Sequence, residues 1–141
     1  MERSNHRCST VISPRIRAVI HLDTNFLIDA LVPGSAQEAL LIGWLDAGEA
    51  LGISSLAWGE FLCGPLSPMA ETFARQLLPI AEPLERSDAE KAAELFNRTG
   101  RRSKSYADCG IAAVAIRVHA SLATSNRDDF LPMVSQGLTL A

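Results

Sequence analysis

Apolar residues along this chain fall into short continuous runs and into longer stretches that repeat every three or four positions. Ala18–Leu22 is a nearly continuous run rich in β-branched residues, the pattern of a strand buried on both faces. Asp23-Thr24-Asn25 then offers helix-start side chains ahead of Phe26-Leu27-Ile28, with Leu31 one turn on. Pro33-Gly34 breaks that short helix. Ser35 is placed to cap the next, in which Ala39, Leu40, Ile42, Trp44 and Leu45 recur at helical spacing until Gly48. Leu51–Ser54 reads as a second strand. Leu56–Cys63 reads as a helix containing Glu60 and ended by Gly64-Pro65, and Met69–Leu78 as another amphipathic stretch.

Ile80–Leu84, in a stretch that holds Pro79 and Pro83, reads as a short strand or a turn. Ser87-Asp88-Ala89-Glu90 fits a capping box opening a helix that runs to about Arg98. Gly100–Lys104 is a polar, basic loop, after which Ser105 is placed to cap Tyr106–His119. The Ala, Ile and Val content of that helix implies burial on most sides. Ser121–Thr124 is a third strand and Leu138–Leu140 a weak last one. Strand and helix alternate, which predicts a three-layer α/β/α domain with a mostly parallel central sheet.

Composition narrows the class. A chain of 141 residues, 48% apolar, is long enough to bury one core and too apolar to be disordered throughout. Its net charge of −3 argues against a general nucleic-acid coat protein, though not against an enzyme that meets nucleic acid through a local basic patch. Cys8, Cys63 and Cys109 are odd in number and far apart, which fits neither a zinc site nor a disulfide framework and is simplest as reduced thiols in the cytoplasm. Cys109 next to Asp108 invites a nucleophile, yet no histidine has a clear claim to partner it, and a small packed residue is the simpler reading. No apolar run reaches the roughly 20 residues of a membrane span. Residues 1–16 carry arginines, Pro14 and several Ser and Thr but no apolar signal core. They read as a flexible tail or as a misread upstream start, with the folded domain over 17–141.

Four polar residues stand out in their contexts: Asp23, Glu60, Asp108 and Asn126. Asp23 falls at the end of the first strand and Asn126 just past the third. Asp108 lies in the first turn of its helix, and Glu60 in the helix after the second strand. In open parallel sheets, ligands gather at the carboxyl ends of strands, so all four can meet at one edge. Each also has an ordinary explanation. Asp23 can cap a helix, Asp108 can be a first-turn acid favoured by the helix dipole, Glu60 can be solvated, and Asn126 can form a turn, with Asp128 and Asp129 as turn or cap residues beside it. Together they point to a cation held by hard oxygen ligands, Mg²⁺ or Mn²⁺.

The motifs Leu22-Asp23-Thr24-Asn25, Glu60 in a short helix, Ala107-Asp108 ahead of Ile111-Ala112-Ala113, and Ala123-Thr124-x-Asn126 resemble those of PIN-domain ribonucleases, and among them the VapC-type toxins of toxin–antitoxin pairs. The resemblance covers about Arg17 to the C-terminus. It implies a Mg²⁺-dependent endoribonuclease, with Mn²⁺ as substitute. Asp23 and Asp108 are then the principal metal ligands, Glu60 completes the acidic set directly or through water, and Asn126 stands where the family often has Asp. Asp129 is the nearby acid that could compensate. Thr24 either bonds an acid or the phosphate, or serves as a helix cap. Proteins of this type act as homodimers and are silenced by a small antitoxin whose C-terminal segment covers the acidic groove. Exposed apolar positions in Asn25–Leu31 and Ser35–Ala47 could supply such a groove.

An acidic site meets RNA only if cations surround it. Arg98, Arg101, Arg102 and Lys104 precede Asp108 and Arg127 follows Asn126, so they are read as phosphate contacts or, more plainly, as a solvated basic loop. His21 is expected in the core or at the rim rather than as a ligand, and Trp44 and Trp58 as core or interface anchors. The alternative in another class is a PIN-like RNA- or protein-binding module whose uncharged fourth position has cost it catalysis. A phosphotransferase of the haloacid-dehalogenase type wants an Asp where Asn25 stands, which makes that reading poor.

Overall fold

The structure is a computed structural model, and it describes residues 19–99 and 106–141. The expected tail over 1–16 and the expected cap Ser105 lie outside the described residues. Four parallel strands make one sheet: β1 (Val19–Leu22), β2 (Ala50–Gly52), β3 (Ser121–Ala123) and β4 (Thr139–Leu140), in the order β2-β1-β3-β4. The chain leaves β1 for β2 through α1 (Thr24–Ala30) and α2 (Ala36–Asp46). It then returns past β1 to β3 through α3 (Ser55–Cys63), α4 (Pro68–Leu77), α5 (Arg86–Arg98) and α6 (Tyr106–Arg117), and α7 (Arg127–Val134) joins β3 to β4. Right-handed crossovers that run in opposite directions, from β1 to β2 and from β2 back past β1 to β3, place helices on both faces of the sheet. The α/β layering is as expected, and among the described strands the sheet is parallel throughout.

This strand order reverses direction between β1 and β3, whose register pairs Leu22 with Ala123. The crevice outside the carboxyl ends of two such strands is where open α/β sheets bind ligands. The helix entering β3 runs back against the strands, so the N-terminus of α6 also reaches this edge. Burial of Cys109 through Ala115 seats α6 firmly, as its small apolar residues led one to expect. Gly110 lets α6 approach α3 closely: a Cβ there would come 2.5 Å from Leu56 Cδ1.

Several elements differ from expectation for local reasons. β2 is shorter because Ser54 leaves it to cap α3, its hydroxyl accepting from the Ala57 amide at 3.1 Å. Ile80–Leu84 forms only an isolated bridge between Ser54 and Glu82. The capping box of α5 is Glu85 with Asp88 rather than one opened by Ser87, so the helix starts earlier. Asp88 is 1% exposed because it serves twice: it accepts from the Glu85 amide at 2.9 Å and from Arg117 Nε at 2.9 and 3.1 Å. α6 stops at Arg117, and His119 takes a left-handed conformation with φ 56°. Asp128 and Asp129 lie in the first turn of α7, a helix that holds Pro132 inside it and that the sequence reading does not include.

Of the cysteines, Cys109 is buried within α6 and Cys63 is exposed at the end of α3, while Cys8 lies outside the described residues. Trp44 stacks on Phe26 at 5.4 Å and Trp58 meets Phe61 at 5.6 Å, so both anchor helices to the core as expected. No helix among the described residues is long and apolar enough to cross a membrane.

His21 is a core residue, 2% exposed, with its ring over Gly52, its register partner on β2. Burial holds the imidazole below its usual pKa of 6.5, against the pull of Glu82, and no hydrogen-bond partner reaches Nδ1. A Cβ on Gly52 would come 2.9 Å from two atoms of this ring. Because the ring is buried, Gly52→Val is expected to destabilise the fold by about 1–3 kcal/mol through overpacking. Denaturant unfolding checks this; an unchanged midpoint would show that the ring moves aside freely.

Candidate metal centre

Asp23 ends β1 and is the N-cap of α1, with extended backbone (φ −74°, ψ 157°) and its amide held by the Ala123 carbonyl at 2.9 Å. Its side chain is 3% exposed. Oδ1 accepts from the Thr24 amide at 2.8 Å and Oδ2 from the Thr124 hydroxyl at 2.9 Å. The same carboxylate caps α1 and is tied to the residue after β3.

Two hydroxyls extend the network outward. Thr24 Oγ1 lies 3.2 Å from Glu60 Oε1 and 3.3 Å from the Ala57 carbonyl, so its proton is shared between α3's backbone and Glu60. Thr124 Oγ1 accepts from the Asn126 amide at 3.0 Å while donating to Asp23. Glu60 is exposed and not packed among the apolar residues that surround it in sequence, because Ala57 and Phe61 turn inward and leave Glu60 on the outer side of α3. Asn126 is exposed and starts α7 without a side-chain cap bond.

The electrostatics converge on Asp23. Burial raises its carboxyl pKa above the usual value of 3.8. The hydrogen bonds from Thr124 and Thr24 oppose that, and the charges of Glu60 and Asp129 reinforce it. Asp129, half-buried in the first turn of α7, thus lies within electrostatic reach where Asn126 brings no charge. Sequence left Asp129 as a turn or cap residue or as a compensating acid. The signal that separates these is its place three residues into a helix whose first residue follows Asn126.

Asp108 reaches the same edge on α6, half-buried in the first turn. The structure therefore links Asp23, Glu60 and Asn126 through hydrogen bonds and adds Asp129 by charge, while Asp108 lies in the first turn of a separate helix, α6. Among the described residues no three His, Cys, Asp or Glu side chains stand close enough together to hold a metal ion as they are. Mutually repelling carboxylates have no reason to close up by themselves. The donor set is all hard oxygen, which suits Mg²⁺ or Mn²⁺, and a buried acid beside two like charges is relieved by a cation.

The basic residues are less gathered. Arg98 ends α5 and pairs with Glu94 at 3.2 Å. Arg127 Nη1 donates to the Ala141 carbonyl at 2.7 Å, and Arg127 also lines a polar crevice of 430 Å³ together with Ser125, Asn126, Asp128 and Asp129. Arg101, Arg102 and Lys104 lie outside the described residues. A second concavity, an apolar groove of 490 Å³, runs between α2 and α4, lined among others by Leu31, Leu41, Ile42, Leu45, Met69 and Phe73. α2 buries only Leu41, so most of its apolar face is open.

A parallel sheet with acids at its β1/β3 switch point defines a class, and comparison with known proteins names it. The PIN domain family model matches residues 20–132, and the chain belongs to that family. No curated protein sequence matches it. Among solved structures it is similar to a chain of VapBC2 from Rickettsia felis bound to a DNA fragment from their promoter, with a TM-score of 0.69 and 18% identity over 87% of this chain and 97% of that one. A chain of VapBC-1 from nontypeable Haemophilus influenzae gives 0.66 and 18%, over 87% and 96%. A chain of a toxin-antitoxin complex from Klebsiella pneumoniae gives 0.63 and 24%, over 79% and 89%. At these identities the likeness shows the fold.

The raised pKa of Asp23 has a stability consequence. The folded form holds its proton more tightly than the unfolded chain. Asp23's contribution to stability is therefore fully present below the unfolded value of 3.8 and is lost as pH rises through the folded value. At neutral pH the ionised side chain is a cost, so Asp23→Asn is expected to raise the melting temperature of metal-free protein at pH 7. A lower melting temperature would mean that the carboxylate's hydrogen bonds outweigh its burial and its acidic neighbours.

Proposed function

We propose that this PIN domain is a Mg²⁺-dependent endoribonuclease and the toxin of a toxin–antitoxin pair. The observation that carries the reading is Asp23: a buried carboxylate at the sheet's switch point, hydrogen-bonded on both oxygens, with Glu60 and Asp129 in electrostatic reach. Asp23 and Asp108 would hold the ion, with Glu60 and Asp129 completing the acidic set and Asn126 offering a neutral oxygen. When bound, Mg²⁺ supplies Lewis acidity and an acidified water for phosphodiester hydrolysis.

The chain's own residues do the rest. Thr24 and Thr124 fix the Asp23 carboxylate in one orientation and occupy one lone pair on each oxygen. Glu60, exposed and bonded by the Thr24 hydroxyl, would be the carboxylate to accept a proton from the attacking water. Arg98, Arg101, Arg102, Lys104 and Arg127 are assigned to the RNA phosphates, where counter-charge must offset the acidic edge. The apolar groove between α2 and α4 is assigned to a small antitoxin, whose amphipathic segment would cover Ile42, Leu45, Met69 and Phe73. Structures of VapBC proteins and of a toxin-antitoxin complex support a partner of this kind. The active form is assigned as a homodimer and its place as the cytoplasm.

One observation favours a second reading, a PIN-like module that binds RNA or protein without cutting: the residue at the fourth family position, Asn126, is uncharged and exposed. Cleavage of a mixed labelled RNA pool separates the two. Wild type with Mg²⁺ or Mn²⁺ is expected to cut, EDTA to stop it, and Asp108→Asn to lower the rate by at least about a hundredfold while remaining folded. Undiminished cutting by Asp108→Asn would overturn the site assignment, and Mn²⁺ binding without any cutting would favour the binding module.

A further inference from the structure

Two adjacent hydroxyls in the turn after β3 hold the two ends of α1. Thr124 reaches Asp23 at its start. Ser125 donates to Asp29 Oδ2 at 2.7 Å, in the last turn of the helix and 96 residues away in sequence. Around this second bond, Gln37 Nε2 of α2 lies 3.4 Å from Ser125 Oγ, and the Ser35 hydroxyl donates to the Asp29 carbonyl at 2.7 Å. The turn that carries Asn126 and leads into Asp129 is thereby tied to the corner between α1 and α2.

β3 is only three residues long, and α7 begins at Asn126 with no side-chain cap bond to fix its first turn. Farther along, α7 is seated by its buried residues Phe130 and Met133, and Arg127 Nη1 donates to the Ala141 carbonyl. The Thr124 bonds set the β3 end of the turn at Asp23, and the first turn of α7, from Asn126 to Asp129, lies between that attachment and the buried Phe130. Ser125 adds a further point of attachment. Both Ser125 and Asp29 are half-buried, where one hydrogen bond adds little net stability. Its effect is on direction. Rotating the turn would carry Asp129 away from Asp23, and the site would lose the charge that Asn126 does not provide.

We infer that Asp29 and Ser125 are positioning residues whose hydrogen bond orients the β3–α7 turn, and with it Asp129 and Asn126, toward Asp23, and so sets the site's affinity for a divalent cation. The inference rests on the metal-dependent reading above. Loss of a partner behind a metal site typically weakens the metal about 10–100-fold, and the same range is expected here.

The test is Mn²⁺ binding by calorimetry to the purified full chain and its variants, with melting temperatures in parallel. Asp29→Ala and Ser125→Ala are each expected to weaken Mn²⁺ at least about tenfold with little change in melting temperature. Asp29→Asn keeps an oxygen to accept from Ser125 and is expected to regain most of the affinity, which a role through Asp29's charge would not allow. Unchanged Mn²⁺ affinity in both alanine variants overturns the inference, as does an Asp29→Asn variant as weak as Asp29→Ala. Should Asp29→Ala fail to fold, Ser125→Ala, which removes one hydroxyl, decides alone. Wild type that binds no Mn²⁺ removes the metal reading itself and this inference with it, whereas binding that the variants share removes the inference only.

Discussion

The Asp23 carboxylate is fixed from two directions, by the Thr24 amide that begins α1 and by the Thr124 hydroxyl that ends β3. Those two strands are neighbours in the sheet although about a hundred residues separate them in the chain, so the acid can be held this way only once β1 and β3 have paired in register. Burying a carboxylate there opposes its ionisation, and the charges of Glu60 and Asp129 add to the strain. Ionised, such a carboxylate costs the fold stability, and in the metal-dependent reading proposed above a cation at this edge would relieve that charge.

The rest of the architecture serves that edge. Parallel strands send each following helix away from their carboxyl ends, which puts the starts of α1, α3 and α7 in one region, and α6 begins there because it runs back to enter β3. Small residues make the approach possible, with Gly110 of α6 against Leu56 of α3. On the far side, Asp88 and Arg117 join α5 to α6 through a buried carboxylate that also caps its own helix. The two buried acids make a useful contrast. Asp88 has a guanidinium and an amide to satisfy it, while Asp23 has a hydroxyl, an amide and two acidic neighbours.

Much of this was legible in the chain because burial on all sides writes itself as an uninterrupted apolar run. β1 and α6 are nearly such runs, with Asp23 directly after the one and Asp108 in the first turn of the other. What was not legible depended on distant partners. Ser87 looked like a helix cap, but Glu85 and Asp88 take that role, and the partner that keeps Asp88 buried is Arg117, 29 residues on. Glu60 sat among apolar neighbours in sequence yet faces outward, since the exposed side of a nine-residue helix is settled by what packs against the other side. α7 has no continuous apolar run to announce it, burying only Phe130 and Met133, and so the helical placement of Asp129 was not legible either. The bond between Asp29 and Ser125 joins two unremarkable polar residues that no periodicity relates.

In the reading proposed above, the acids at this edge hold a divalent cation. The most direct measurement is anomalous diffraction at the manganese edge from crystals grown with Mn²⁺. A single strong peak in contact with the Asp23 carboxylate and within ligand distance of Asp108 is the expected result. A well-ordered structure with no peak at that edge, or with manganese only elsewhere on the molecule, would contradict it.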